Sequence, residues 1–257
     1  LQTLMIISSV GTLVVVFLVT LIGTVFGVIS GVGSSVVSLP VFLWIGIPLP
    51  LTIATHKLYC AFGSPLGAYN YLKGQKINWF FLITFAILGL IGAYFGVKFV
   101  LTVNENILKT IMGIAIVIFV IYSYFKKDFG LKKVKKISPI RKIISYPIAL
   151  LMGFYESILG SGNGMIFAIV TSYSRGFDLI SAFGYYLAVA FFWATFSAIL
   201  YIQQGYFDFW IMLVAVLGAM IGTYIGSKYA KYKGNKFIKI FFIAIGTILG
   251  IKLILNL

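Results

Sequence analysis

Three ionisable side chains sit in sequence that is otherwise uncharged for many residues around them. Lys57, with His56 beside it, lies in the apolar run Leu51–Leu72, and Glu156 lies between Gly153 and Gly160. Charged groups are costly in an apolar medium, so each needs a purpose or a partner. Lys57 could hold an anion, or its long side chain could snorkel back to an interface. His56 could shuttle protons near neutral pH, or bond a carbonyl at an interface. Glu156 could carry a proton, or be a carboxylic acid bonded to a neighbouring helix.

Two glycine-rich breaks accompany them. Gly27-Val-Ile-Ser-Gly31-Val-Gly33-Ser34-Ser35 and Gly160-Ser161-Gly162-Asn163-Gly164 each precede a short apolar segment. A helix that starts after such a break offers unpaired N–H groups and the positive end of its dipole, and glycine lets a ligand approach the backbone. Gly31, Gly33, Ser34, Ser35 and Gly160 to Gly164 are therefore candidate ligands for a small anion with several oxygens. Glycine and serine also let helices pack closely, as at Gly92-xxx-Gly96 and Gly222-xxx-Gly226. Asn163 is expected to cap the second short helix, Arg175 and Asp178 to pair locally, and Cys60 to pack as a small apolar side chain.

Other chemistries lack their residues. There is no H-E-x-x-H, G-x-S-x-G or P-loop pattern, and one Cys with one His makes neither a disulfide framework nor a metal cluster. No enzyme, no cofactor and no metal are expected.

The elements that position these residues follow from composition. Of 257 residues 61% are hydrophobic before 27 glycines are added, 10% are charged, and mean hydropathy is +1.09. Soluble domains are about 25% charged, so most of this surface must face lipid. At about 20 residues per crossing the length allows about eight to ten spans. The runs are Thr3 to Ser30, Leu51 to Leu72, Trp79 to Leu101, Ile107 to Phe125, Ile143 to Leu159, Leu179 to Ile202, Trp210 to Ser227 and Phe237 to Asn256. Val36 to Ile45 and Met165 to Tyr173 are too short to span alone, and fit broken or re-entrant helices covered by protein. The fold class is all-α and polytopic: about eight full transmembrane helices plus two short ones.

The chain repeats itself. At an offset of 130, Gly92-Ala-Tyr-Phe-Gly96-Val-Lys98 matches Gly222-Thr-Tyr-Ile-Gly226-Ser-Lys228, Asn78 matches Asp208 and Lys109 matches Lys239. Residues 1–125 form a first repeat, 126–142 a basic linker and 143–257 a second repeat, within one membrane domain. The net charge of +15 would suggest nucleic acid on a soluble protein. Here fifteen of the 20 basic residues fall in Lys73 to Lys76, Lys126 to Lys142 and Lys228 to Lys239. These read as cytoplasmic connections facing anionic headgroups of a cell membrane, without a nucleic-acid partner. With the linker inside, the C-terminus falls outside. Equivalent loops such as Lys73 to Lys76 and Gln203 to Asp208 then lie on opposite sides, which makes the repeat inverted. Broken helices paired across an inverted repeat mark the midplane site of a transporter.

The residues Gly27 to Ser35, Pro40, Ile53-Ala54-Thr55, Gly67-Ala-Tyr, Lys73-Gly74 before Asn78-Trp79, and Gly92 to Gly96, echoed in Gly153 to Gly164, Gly205 and Gly222 to Gly226, resemble the sulfite exporter TauE/SafE family of membrane transporters. The resemblance covers nearly the whole chain apart from the basic linker. It implies export or passage of small sulfur-containing anions such as sulfite or organosulfonates. The chain departs from the family pattern in two places: serines follow the first break where glycines are usual, and His56-Lys57 stands where small or apolar residues are usual. The expected activity is secondary transport by alternating access with a small anionic substrate, possible proton coupling through Glu156 or His56, and Lys57 near the anion. An uncoupled channel for a sulfur anion or neutral solute, and a membrane scaffold without flux, are the alternatives.

Overall fold

The computed structural model describes residues 9–100, 130–134, 136–158 and 160–254, with isolated positions 114, 117, 118, 121, 124 and 125. The crossing expected over 107–125 and the start of the basic linker fall largely outside the described residues. Those described form helices and no strand: α1 Val10–Ser30, α2 Ser35–Trp44, α3 Leu49–Leu72, α4 Trp79–Val100, α5 Pro139–Ile158, α6 Asn163–Arg175, α7 Leu179–Gln203, α8 Phe209–Lys233 and α9 Asn235–Ile254.

Local signals set the ends. Asn78 Oδ1 accepts from Phe81 N at 3.0 Å and Asp208 Oδ1 from Ile211 N at 2.9 Å, so residues at matching positions of the two halves cap matching helices. Asp178 Oδ1 caps α7 through Ser181 N at 3.0 Å, while Oδ2 accepts from Asn235 Nδ2 at 3.1 Å. Arg175 does not pair with it. The guanidinium instead donates to Lys142 O and Ser145 Oγ and lies over the rings of Phe81 and Tyr146. Asp178→Ala is expected to lower thermal stability by about 1 kcal/mol, read by thermal unfolding in detergent, with transport rate unchanged.

Four of these helices are long and apolar enough to cross a bilayer: Val10–Ser30, Trp79–Phe99, Leu179–Gln203 and Phe209–Lys233. Eight full spans are not met by length and composition among the described residues. The reason is where the polar residues sit. α3 has 24 residues but buries Thr52, Thr55, His56, Lys57, Ser64 and Asn70 inside the protein. α5 contains Arg141, Lys142, Pro147 and Glu156. The outer face is apolar: Val10, Val14, Leu18, Ile22 and Phe26 form an exposed stripe on α1, and Ile83, Ile87 and Ile91 one on α4. Exposed Trp44, Trp79 and Trp210 stand at helix ends, where interfacial aromatics belong.

The packing has a palindromic order. α1 packs on α8, α8 on α3, α3 on α7, α7 on α4 and α4 on α5, while α2 sits against α1 and α3, and α6 against α5 and α7. Exchanging α1 with α5, α2 with α6, α3 with α7 and α4 with α8 reproduces the same set of pairs. Both outer crossings are made by glycine. A Cβ at Gly92 or Gly96 would overlap the carbonyls of Leu150 or Phe154 on α5, and one at Gly222 or Gly226 those of Leu21 or Val25 on α1. These glycines are packing surfaces. Lys98 and Lys228 each lie over a ring one turn earlier, Tyr94 at 4.5 Å and Tyr224 at 5.5 Å.

Candidate functional site

The helices α1 and α5 end at the two breaks, and there they meet. Gly31 and Gly33 take positive φ (73° and 90°), as do Gly160 and Gly162 (69° and 77°), a backbone region in which a side chain is strained. The reversed chains bond to each other: Gly162 N donates to Val32 O at 2.5 Å, Met165 N to Gly31 O at 3.1 Å, and the hydroxyls of Ser35 and Ser161 lie 2.5 Å apart. Tyr155 Oη donates to Ser161 O at 2.5 Å. Asn163 does not cap α6. Gly162, left-handed, takes that place, which frees the Asn163 side chain for another use.

That use is Glu156. Asn163 Nδ2 donates to Glu156 Oε2 at 2.7 Å and Tyr186 Oη donates to the same oxygen at 2.9 Å. Lys57 Nζ lies 3.4 Å from Oε1 and also donates to the main-chain carbonyl of Glu156. Lys57 is fully buried, so it does not snorkel. The carbonyl it meets is in the last turn of α5, where acceptors lack helical partners and the dipole favours a cation. Side chains of α3, α6 and α7 thus converge on a carboxylate of α5, and Lys57–Glu156 is the sole ion pair found among the described residues.

Beside the pair opens a narrow cleft. Of the residues singled out by sequence, Gly31, Gly33, Ser34, His56, Glu156 and Gly160 line it. Ser35, Ser161, Gly162, Asn163, Gly164 and Lys57 lie behind that wall and hold it together. Sequence reasoning missed Tyr59 and Tyr186, also in the lining. Tyr59 Oη is shared by Ser34 Oγ at 2.9 Å and Ser38 Oγ at 2.7 Å. The one available signal for these tyrosines was a hydroxyl inside an apolar run, which buries only with a partner. Cys60 also faces the cleft, its Sγ 3.5 Å from His56 Nε2, and the His56 ring meets Tyr59 edge-on. Val28, Phe183, Leu187 and Ala190 form an apolar side.

The main-chain donors suit an anion. Gly33, Ser34, Ser35 and Val36 donate no main-chain hydrogen bond among the described residues, and Ser34 makes no side-chain cap; of the four, Gly33 and Ser34 line the cleft, and unpaired N–H groups at a helix start are a favourable setting for negative charge. No group of three or more His, Cys, Asp or Glu able to hold a metal occurs among the described residues.

Comparison with known proteins supplies the family. A family model described as sulfite exporter TauE/SafE matches residues 15–253. The chain belongs to the sulfite exporter TauE/SafE family. It is similar to a probable membrane transporter protein, ORF9, of Sinorhizobium sp., with 26% identity over 229 residues covering 86% of this chain and 84% of the relative. A probable membrane transporter protein of Haemophilus influenzae is 22% identical over 80% of both chains. The probable membrane transporter protein YfcA of Escherichia coli K12 is 22% identical over 86% of this chain and 81% of its own length. No solved structure matches the chain significantly. Family membership and the apolar helices make this chain a multi-pass membrane protein and a membrane transporter.

Proposed function

We propose that this transporter exports a small sulfur-containing anion, sulfite or an organosulfonate, across the cell membrane by alternating access of two inverted repeats, coupled to protons. The observation that carries the reading is the junction of the two glycine breaks, one from each half, against a cleft with free main-chain donors and a buried Lys57–Glu156 pair. The palindromic helix packing and the paired caps Asn78 and Asp208 support the repeat. Alternating access then rocks one repeat against the other about this junction. The family's name supports sulfite and the outward direction. The anion sits against Gly31, Gly33, Ser34 and Gly160, with Glu156 or His56 passing the proton.

Contacts among the basic stretches support the orientation. Lys231 Nζ donates to Asn70 O and Lys73 O, Lys133 Nζ to Gln75 Oε1, and Asn235 Nδ2 to Leu131 O. All three basic connections therefore gather on one side, as cytoplasmic loops over anionic headgroups require, and the C-terminus is then extracytoplasmic. In the eight-span arrangement, α3, α5 and α9 cross as well, beside the four strongly apolar helices.

The test is uptake of radiolabelled sulfite into proteoliposomes with and without an inward proton gradient, with sulfate and taurine as competitors. Saturable, gradient-driven uptake is expected. A folded protein that moves no sulfur anion under any gradient would sink the reading.

A further inference from the structure

Lys57 and Glu156 balance each other's charge beside the cleft, and that balance limits what can enter. Their side chains are 0% and 3% exposed, where a lone charge is strongly unfavourable. Glu156 and Gly160 line the cleft, and the ammonium lies directly behind Gly160: a Cβ there would stand 3.1 Å from Nζ and 2.7 Å from Oε1. No side chain stands at that point, so the Gly160 main chain is what separates the cleft from the ammonium.

Building on the anion-transport reading, we propose that Lys57 is the anion-binding cation, that Glu156 masks it, and that one proton on Glu156 unmasks it, so a proton and a monovalent anion bind together. The proton passes from water in the cleft to Oε1, the oxygen facing Lys57. Oε2 keeps its bonds from Asn163 and Tyr186. The ammonium has then lost its counter-ion, and an anion oxygen takes that place across Gly160. Release on the other side reverses both steps: the proton leaves Oε1 and the carboxylate reclaims Nζ. The site is neutral in both states, with Lys57 balanced first by Glu156 and then by the anion. A divalent anion would leave one uncompensated negative charge and is rejected. Transport is electroneutral, one proton per monoanion, and it runs outward whenever the outward gradient of the anion exceeds the inward gradient of protons.

The other titratable groups that face the pair are His56 and Cys60 from α3, Tyr155 from α5 and Tyr186 from α7, and Tyr59 of α3 lines the same cleft with its hydroxyl held by Ser34 and Ser38. α6 contributes Asn163, and α4 presents Gly92 and Gly96 to the same stretch of α5. None is a second carboxylate, so the charge exchange falls to Glu156.

The experiment uses the full chain in proteoliposomes with radiolabelled methanesulfonate, a monoanion throughout the working pH range, and sulfite and sulfate alongside. Wild type should accumulate methanesulfonate down a proton gradient at a rate indifferent to an imposed membrane potential, and should not accumulate sulfate. Glu156→Gln imitates the protonated acid: gradient-driven accumulation is lost, while anion-for-anion exchange continues and no longer varies with pH. Lys57→Gln/Glu156→Gln should lose both. Cys60 is the chain's one cysteine and lines the cleft, which gives a readout in wild type that needs no charge substitution. Methanesulfonate should slow N-ethylmaleimide labelling relative to an anion-free control more strongly at acidic than at alkaline pH. Methanesulfonate flux that carries current, sulfate flux at the methanesulfonate rate, accumulation that survives in Glu156→Gln, or protection indifferent to pH overturns the switch and leaves transport standing. No flux of methanesulfonate or sulfite by folded wild type overturns the transport reading and the switch with it.

Discussion

Lys57→Met is expected to destabilise the protein by about 3–5 kcal/mol, the usual cost of leaving one member of a buried ion pair without its partner. The loss would show as a much lower midpoint of thermal unfolding in detergent and a poor yield of monodisperse protein. Glu156 would keep its bonds from Asn163 and Tyr186, but these neutral donors do not cancel its charge. Lys57→Met/Glu156→Gln removes both charges at little change in volume and should recover most of the stability, because well-packed neutral substitutes for a buried pair are often nearly neutral in energy. Neither variant should transport. If the single substitution is as stable as wild type, the pair does not form in the interior.

The second large effect is expected from Gly153→Ala. A Cβ at Gly153 would fall on the carbonyl and Cα of Gly89, and the reciprocal contact sets a Cβ at Gly92 on the carbonyl of Leu150. Both obstacles are main-chain atoms of α4 or α5 and cannot rotate away. The helices must separate, and with α5 moves Glu156. Overpacking of this kind costs about 3 kcal/mol or more when the neighbour is rigid, so the variant should give little folded protein by size-exclusion chromatography. Gly11→Ala is the control: the nearest atom to its Cβ is Ser9 Oγ at 3.9 Å, and removing a helical glycine should change stability by about 1 kcal/mol or less. Equal behaviour of the two variants would refute the close crossing.

Much of this was legible in the chain alone. Charge scarcity and apolar runs determined that the protein is helical and in contact with lipid, because both depend only on local composition. The breaks at Gly31-Val-Gly33 and Gly160-Ser-Gly162 were readable because few residues other than glycine tolerate positive φ. Lys57, His56 and Glu156 stood out because isolated ionisable groups are rare in such runs, and Glu156 stood four residues before the Gly160 break. The 130-residue offset announced the paired caps Asn78 and Asp208.

Tertiary structure decided the rest, since it depends on residues far apart in sequence. Lys57 and Glu156 each carried two readings on its own element, and only the meeting of α3 with the end of α5 made them a pair. Asn163 looked like a cap because cap propensity is local, yet Gly162 turns the chain there and sends the amide to Glu156. Arg175 and Asp178 looked like partners because they are near neighbours in sequence. Phe81, Tyr146 and the Lys142 carbonyl took the first, and the start of α7 took the second. Tyr59 and Tyr186 gained meaning only once Ser34 and Glu156 stood opposite them. Local propensity reaches about one helical turn, whereas a buried charge takes its role from whichever partner the packing brings against it.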